Sequence, residues 1–332
     1  MKLDEIGFYT LSDNRAKNTS LKSSLQRCEL IITHKCNFEC SYCRGLRNDC
    51  KGEVPTQKAV DIIELWASDN LQNIRFSGGE PTLHSGLIEM VYFANRKGIK
   101  RIAISTNGSA DLEEYQDLFH AGVNDFSISL DACCSSFGEI MNGGVKGGWE
   151  KSIENIRKLS ELTYVTVGMV FTSRNTKQAK ESIEFAHSLG VSDIRIISSA
   201  QYNEAIDQLD GLDDNILNSH PILKYRVNNY RRSRNVRGVK KTDCSRCRLV
   251  LDDMAIAKYW HFPCIIYLRE GGNYIGDIKG NIRQERYDWF LNHDSHQDPI
   301  CKKNCLDVCI DYNNRANEYS IVQGNVSLRE DE

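Results

Sequence analysis

From residue 28 onward the chain alternates between short apolar runs and longer segments whose apolar residues return every three or four positions. Strands are predicted at 28–33, 73–77, 101–105, 125–130, 164–171 and 193–197, and helices at 57–69, 86–97, 112–120, 149–159 and 177–189. This order predicts an α/β fold, a parallel sheet with right-handed crossovers, whose chemistry sits at the C-terminal strand ends. Beyond residue 210 the alternation stops. The expected organisation is an N-terminal segment 1–27, an alternating body 28–210 and a cysteine-rich extension 211–332. The run Gly7-Phe8-Tyr9-Thr10-Leu11-Ser12-Asp13 is expected to cover the body, with no assigned chemistry.

Composition narrows this picture. Apolar residues make up 40% of 332, enough for a sizeable core. A net charge of −3 predicts no strong overall pull toward nucleic acid or a membrane. No stretch is apolar for long enough to span a bilayer, and Met1 to Asn18 is too polar for a signal peptide, so a cytoplasmic protein without membrane partners is expected. The 13 cysteines then read poorly as disulfides, because the cytosol keeps thiols reduced. Metal ligation is the better account of most of them. Five prolines and no low-complexity tract argue against long flexible linkers.

The most informative run is Cys36-Asn37-Phe38-Glu39-Cys40-Ser41-Tyr42-Cys43. Thiolates select iron–sulfur clusters, and a four-iron cubane takes four protein sulfurs. Three sulfurs leave one iron open, as catalytic metals keep a position for substrate. Spacing alone leaves half a zinc site, with His34 as fourth ligand, or a redox pair equally open. The CxxxCxxC run after an apolar strand resembles the cluster motif of the radical S-adenosylmethionine (radical SAM) superfamily. The resemblance implies a partial (β/α)6 barrel and an oxygen-sensitive [4Fe–4S] cluster whose open iron chelates SAM. It also implies a one-electron donor such as flavodoxin or ferredoxin, and a 5′-deoxyadenosyl radical that abstracts hydrogen from substrate.

Further motifs fall in register with that family. Ser77-Gly78-Gly79-Glu80-Pro81 follows the second predicted strand and resembles the GGEP motif that contacts the SAM amino group. Alone it would read as a turn. Ser105-Thr106-Asn107-Gly108 and Ser127-Ile128-Ser129-Leu130-Asp131 resemble the ribose- and carboxylate-contacting segments, so Ser105, Asn107, Ser129 and Asp131 are expected at SAM. The bland alternative for each is a strand-to-helix turn with an N-cap. Tyr42 occupies the family's adenine-neighbour slot. Asn175 is a candidate for the methionyl end, with helix capping equally open.

Six cysteines remain in the extension: Cys244, Cys247, Cys264, Cys301, Cys305 and Cys309. With Gly276-Asp277-Ile278 between the third and fourth, they resemble the SPASM or twitch extension, which holds one or two auxiliary [4Fe–4S] clusters. Their intervals depart from the full SPASM pattern. Cys244-x-x-Cys247 with Cys264 is also similar to the C-terminal cluster of the molybdenum-cofactor GTP cyclases, from which the 301/305/309 group departs. Zinc stays open here too. The metal is expected to tie together a region with little core of its own. Cys28, Cys50, Cys133 and Cys134 lack partner spacing and read as small buried hydrophobes.

The substrate is argued from elsewhere. Between Lys224 and Arg248 lie ten Lys or Arg against one acid, Asp243, with Tyr225 and Tyr230 interleaved. Clustered cations and aromatics hold phosphates and bases, which makes Arg231, Arg232 and Arg234 candidate phosphate contacts; a solvated basic face is the alternative. The leading expectation is a radical SAM enzyme acting on a nucleotide or nucleic-acid-linked group. A radical SAM maturase of peptides comes next, weakened because 27 residues before the first strand leave no room for a leader-peptide module. A non-catalytic, metal-stabilised binding protein is the third. No residue identifies itself as a substrate-side acid or base.

Overall fold

The computed structural model describes residues 16, 19–20, 23–202 and 209–327; the run 7–13 lies outside them. Six parallel strands follow in sequence order: β1 (Arg27–Thr33), β2 (Asn73–Gly78), β3 (Arg101–Thr106), β4 (Asp125–Ser129), β5 (Tyr164–Phe171) and β6 (Asp193–Ser198). The predicted helices form between them: α1 (Thr56–Ser68), α2 (Leu87–Arg96), α3 (Leu112–Ala121), α4 (Ser135–Met141), α5 (Gly148–Leu162) and α6 (Ala179–Ser188). Of these, only α4 was not expected. It is a two-turn helix between β4 and α5.

Each strand presents its apolar positions to the helices and its alternate positions inward. Ile74, Phe76, Ile102, Ile104, Phe126, Ile128, Val165 and Val167 join one core with Ile62, Trp66, Met90, Leu118, Ile156 and Ile183 of the helices. The alternate positions are polar or small: Arg75, Ser77, Ser105, Ser127, Ser129, Gly168 and Arg195 all line cavities inside the curved sheet. A period of two therefore separates the packing face from the chemical face.

The sheet does not end at β1. A seventh strand, β7 (Asp253–Ala257), pairs parallel to β1 on the side away from β2, and β8 (Trp260–Phe262) and β9 (Gly276–Asp277) extend it antiparallel. The sheet order is β6-β5-β4-β3-β2-β1-β7-β8-β9, an unclosed barrel. The cysteine-rich region thus shares the barrel sheet and adds small cores. One includes Leu249, Val308, Tyr312 and Ala316; another joins it to the barrel through Ile31 and Cys50 against Phe262 and Leu268. After β6 come α7 (Asp214–Ser219) and α8 (Pro221–Arg231); after β8 come α9 (Ile265–Arg269), α10 (Ile282–Asn292), α11 (Pro299–Asn304) and α12 (Asp307–Ser327). Arg286 of α10 is fully buried and donates to the carbonyls of Val250 (2.7 Å), Phe262 (2.9 Å) and Pro263 (3.1 Å), fixing the segment that carries Cys247 and Cys264. Arg226 of α8 pairs in the interior with Asp307 of α12, which also accepts from Asn229 at 2.7 Å. Among the described residues no helix is long and apolar enough to cross a membrane.

Asp125 begins β4 with no exposure and pairs with Arg75 (3.2 Å) and with Arg101. Burial pushes its carboxyl up, but Arg101 and Arg75 outweigh that and leave it below its ordinary value. Its stabilising contribution is therefore present above the unfolded pKa and is lost as pH falls through the folded one. Asp125→Ala strands two buried guanidinium groups and is expected to cost about 3–5 kcal/mol, read by urea unfolding. A loss under about 1 kcal/mol contradicts this account of the sheet's polar interior.

Candidate active site

The cysteine loop leaves the sheet at Thr33 and is held by the glycines that end β2. Gly79 N–H donates to Thr33 O (2.9 Å) and Glu80 N–H to Lys35 O (2.7 Å). A Cβ on Gly78 would lie 2.3 Å from Thr33 O, and one on Gly79 would lie 2.1 Å from Lys35 O. The Gly-Gly pair is thus required by the approach of two backbones, immediately before Cys36. Glu39 N–H donates to Asn142 O (3.0 Å) and Asn37 Nδ2 to Ser109 Oγ (2.8 Å), tying the loop to the ends of α4 and β3.

Cys36, Cys40 and Cys43 line a cavity of about 240 Å³ together with Tyr42, Gly78, Gly79, Ser105, Asn107, Ser129 and Asp131. The three sulfurs do not all lie within 4.8 Å of one another. Tetrahedral zinc, with Zn–S of about 2.3 Å, needs them about 3.8 Å apart. His34 turns away and shares Nδ1 with the Gly52 backbone at 3.2 Å. Burial, then the Asp131 carboxylate, raise the Cys40 thiol to about 12. Holding that sulfur as a thiolate needs a cation in the cavity, and a metal cluster provides one.

Two residues expected at SAM lie outside the cavity lining. Glu80 is fully buried and does not line the cavity; Oε1 accepts from Thr106 Oγ1 (2.7 Å) and Thr82 Oγ1 (2.8 Å), and Oε2 from Asn107 N–H (2.7 Å). Through these bonds it holds the Ser105–Asn107 segment in place. Asn175 is also fully buried: Nδ2 donates to Asp131 O (3.0 Å) and Val170 O (2.9 Å), and Oδ1 accepts from Thr172 N–H (2.7 Å). It neither faces the cavity nor caps a helix with its side chain. Of the unassigned cysteines, Cys28 and Cys50 are buried as expected, whereas Cys134 is exposed and Cys133 half-buried in the turn that starts α4.

Asp131 accepts from Val170 N–H (2.6 Å) and from the Tyr42 hydroxyl. Burial raises its carboxyl to about 6, against the two hydrogen bonds that lower it. A raised carboxyl binds its proton more tightly in the fold, so stability falls as pH rises from about 4 to about 6. Asp131→Asn is expected to flatten the pH dependence of the thermal midpoint in that window; an unchanged slope contradicts the assignment.

A second cavity of about 380 Å³ shares Tyr42, Cys43, Gly78, Ser105, Arg195 and Arg269 with the first and reaches Cys264 and Cys309. Seven arginines line it: Arg27, Arg44, Arg75, Arg195, Arg226, Arg237 and Arg269. Against them stand Glu29 and Asp253 in the lining, with Asp125, Asp307 and Glu270 paired behind. Arg195 makes no ion pair among the described residues and donates to Ser127 Oγ at 3.1 Å. Burial, then Arg75, Arg226 and Arg27, lower its pKa to about 10. Arg226 and Arg237 belong to the basic run noted in the sequence; the other five were not recognised from it. Arg75 and Arg195 are single cations inside apolar strands, and period-two alternation is the signal that marks them.

The basic run at 224–248 does not form one patch. Arg226 and Arg237 turn inward to the second cavity, Arg234 pairs with Asp311, and Arg231 and Arg232 are exposed. None of Arg231, Arg232 and Arg234 lines either cavity. Five of the six C-terminal cysteines do converge: Cys247, Cys264, Cys301, Cys305 and Cys309 border one small, almost wholly apolar cavity. Cys244 lies outside it, its thiol donating to Arg246 O at 3.4 Å. Tyr267 N–H points at Cys264 Sγ (3.4 Å) and Asn313 Nδ2 at Cys247 Sγ (3.6 Å), donors suited to thiolates.

Comparison with known proteins agrees with this geometry. Residues 30–186 match the Radical SAM superfamily. A Metallosphaera sedula protein described as a probable GTP 3′,8-cyclase is 27% identical over 178 residues, which cover 52% of this chain and 55% of that protein. The chain therefore spans about half the length of the curated relatives it matches. Streptococcus suis SuiB bound to precursor peptide SuiA superposes with a TM-score of 0.57 at 15% identity, over 86% of this chain and 67% of that one. Native anSMEcpe with bound AdoMet gives 0.56 at 14% identity, over 90% and 98%. At these identities the likeness to solved structures is one of fold. Matched in sequence from β1 to α6, and carrying three cysteines at the mouth of an unclosed parallel barrel, residues 30–186 form a domain of the radical SAM type.

Proposed function

We propose that this protein is an enzyme that cleaves SAM reductively and uses the radical on an anionic, nucleotide-type substrate held in the arginine-lined cavity. Cys36, Cys40 and Cys43 would hold the cluster, and Gly78, Gly79, Ser105, Asn107, Ser129, Asp131 and Tyr42 would surround SAM. Bound there, the cluster and SAM supply a 5′-deoxyadenosyl radical. The chain's own part is to keep water out and to set substrate beside it. Tyr42, Ser105 and Arg195 border both cavities, so a substrate in the second lies next to the first.

The observation that carries the reading is Arg195. A half-buried guanidinium with no ion pair among the described residues is costly, and an anionic ligand compensates it. Phosphate oxygens match the fork geometry of arginine. Of the C-terminal cysteines, four of the five that converge, Cys301 among them, would supply the sulfurs of one auxiliary [4Fe–4S] cluster, with Cys264 and Cys309 facing the substrate cavity. Anaerobic incubation of the reduced, iron-loaded protein with deuterated nucleoside triphosphates tests the proposal. Label is expected in 5′-deoxyadenosine. Label arriving only from a deuterated acidic peptide supports the maturase reading instead.

A further inference from the structure

Outside the two large cavities, one imidazole stands against the auxiliary cysteines. His293 Nε2 lies 3.5 Å from Cys301 Sγ. The ring is fixed: it stacks on Trp289 with centroids 3.8 Å apart and planes 16° apart, and it meets the edge of Tyr267 at 6.1 Å. Cys301 is held equally firmly. Asp298 Oδ1 accepts from the N–H groups of Ile300 and Cys301, both at 2.8 Å, and Oδ2 accepts from the Tyr267 hydroxyl at 2.8 Å.

Ligand atoms of His293, Asp298 and Cys301 lie within 4.8 Å of one another, the spacing of a single-ion site. Asp298 is engaged by the protein, Oδ1 by two backbone N–H groups and Oδ2 by the Tyr267 hydroxyl, and so serves to hold Cys301 in place. What remains is an imidazole aimed at one sulfur. A thiol could donate to it, but a thiolate bound to iron has no proton to give, and Nε2 must then carry the hydrogen.

We propose that His293 donates an Nε2–H hydrogen bond to the Cys301 thiolate and thereby raises the reduction potential of the auxiliary cluster. The proposal rests on the reading of the C-terminal cavity as an iron–sulfur site. A donor at a ligand sulfur withdraws charge and so favours the reduced, more negative cluster. The Tyr267 and Asn313 donors at Cys264 and Cys247 act in the same sense, so three sulfurs of this cavity each face an N–H. His293 is a positioning and tuning residue; it touches neither of the two larger cavities.

The test uses the full chain with Cys36, Cys40 and Cys43 changed to Ala, so that only the auxiliary iron remains. After anaerobic reconstitution, the midpoint potential is read by EPR-monitored redox titration in this background and with His293→Phe or His293→Gln added. Phe keeps a ring on Trp289 and removes the donor; Gln keeps an N–H. The expected result is a lower potential for His293→Phe at equal iron content, with His293→Gln close to the parent. An unchanged potential in His293→Phe with iron intact overturns the role of His293 and leaves the cluster reading standing. Selective loss of one iron in His293→Phe overturns it differently, by making the imidazole a ligand. Should the Phe variant fail to fold, nitrogen coupling in the unaltered imidazole decides: a weak coupling is expected, and the strong coupling of a directly bound nitrogen overturns the proposal. A cysteine-triple background that takes up no iron removes the cluster reading and this inference together.

Discussion

Cys40→Ala is expected to abolish 5′-deoxyadenosine formation, a loss of more than about 100-fold, because removal of a first ligand costs more than the 10–100-fold typical of residues behind it. Cys40 is the most enclosed of the three N-terminal cysteines, between the Tyr42–Asp131 pair and the α4 turn. With two sulfurs the cavity cannot retain a cubane, and total iron should fall by about four atoms per chain, the content of one cluster. Iron in the C-terminal cavity should remain, since no residue is shared between the two cysteine groups. The measurement is anaerobic product analysis after reduction, with iron determined in parallel. A Cys40→Ala protein that still produces 5′-deoxyadenosine at the parent rate sinks the assignment of the N-terminal cysteines.

Arg195→Met is expected to separate ligand binding from folding. In the free protein Arg195 sits with Arg75, Arg226 and Arg27 around it and no carboxylate of its own. Replacing it with an apolar side chain of similar length removes that repulsion, so urea unfolding should show unchanged or slightly higher stability. Affinity for a nucleoside triphosphate should fall by about 10–100-fold, the value of one or two charge-assisted hydrogen bonds. The remaining affinity should depend less steeply on salt. If Arg195→Met binds nucleoside triphosphate as tightly as the parent, the second cavity is not the anion site.

Much of this was legible before any fold was known. The cysteine run, the Gly78–Gly79 pair and the six strand–helix repeats are local, and local spacing is what sequence records well. Cys36, Cys40 and Cys43 must be near one another because only eight residues contain them. Gly78 and Gly79 stand where they do because any side chain would collide with Thr33 or Lys35. By contrast, the direction of a side chain at a strand end depends on its neighbours. Glu80 and Asn175 sit in register with SAM-contacting motifs, yet both side chains are buried and bonded to Asn107, Thr172 and Val170 outside the cavity lining.

Sequence by itself determined the kind of cluster loop, the parallel α/β body and the number of its βα units. Tertiary structure alone decided that β7, five residues long, lies beside β1 more than two hundred residues away. That pairing brings Cys264 and Cys309 to the cavity that Arg75 and Arg195 line from the barrel. It also decided that the dense basic run scatters, while isolated cations on separate strands converge. The physical reason is the same throughout. Periodicity reports which face a residue occupies within its own element, whereas the meeting of faces is set by burial and strand pairing summed over the whole chain.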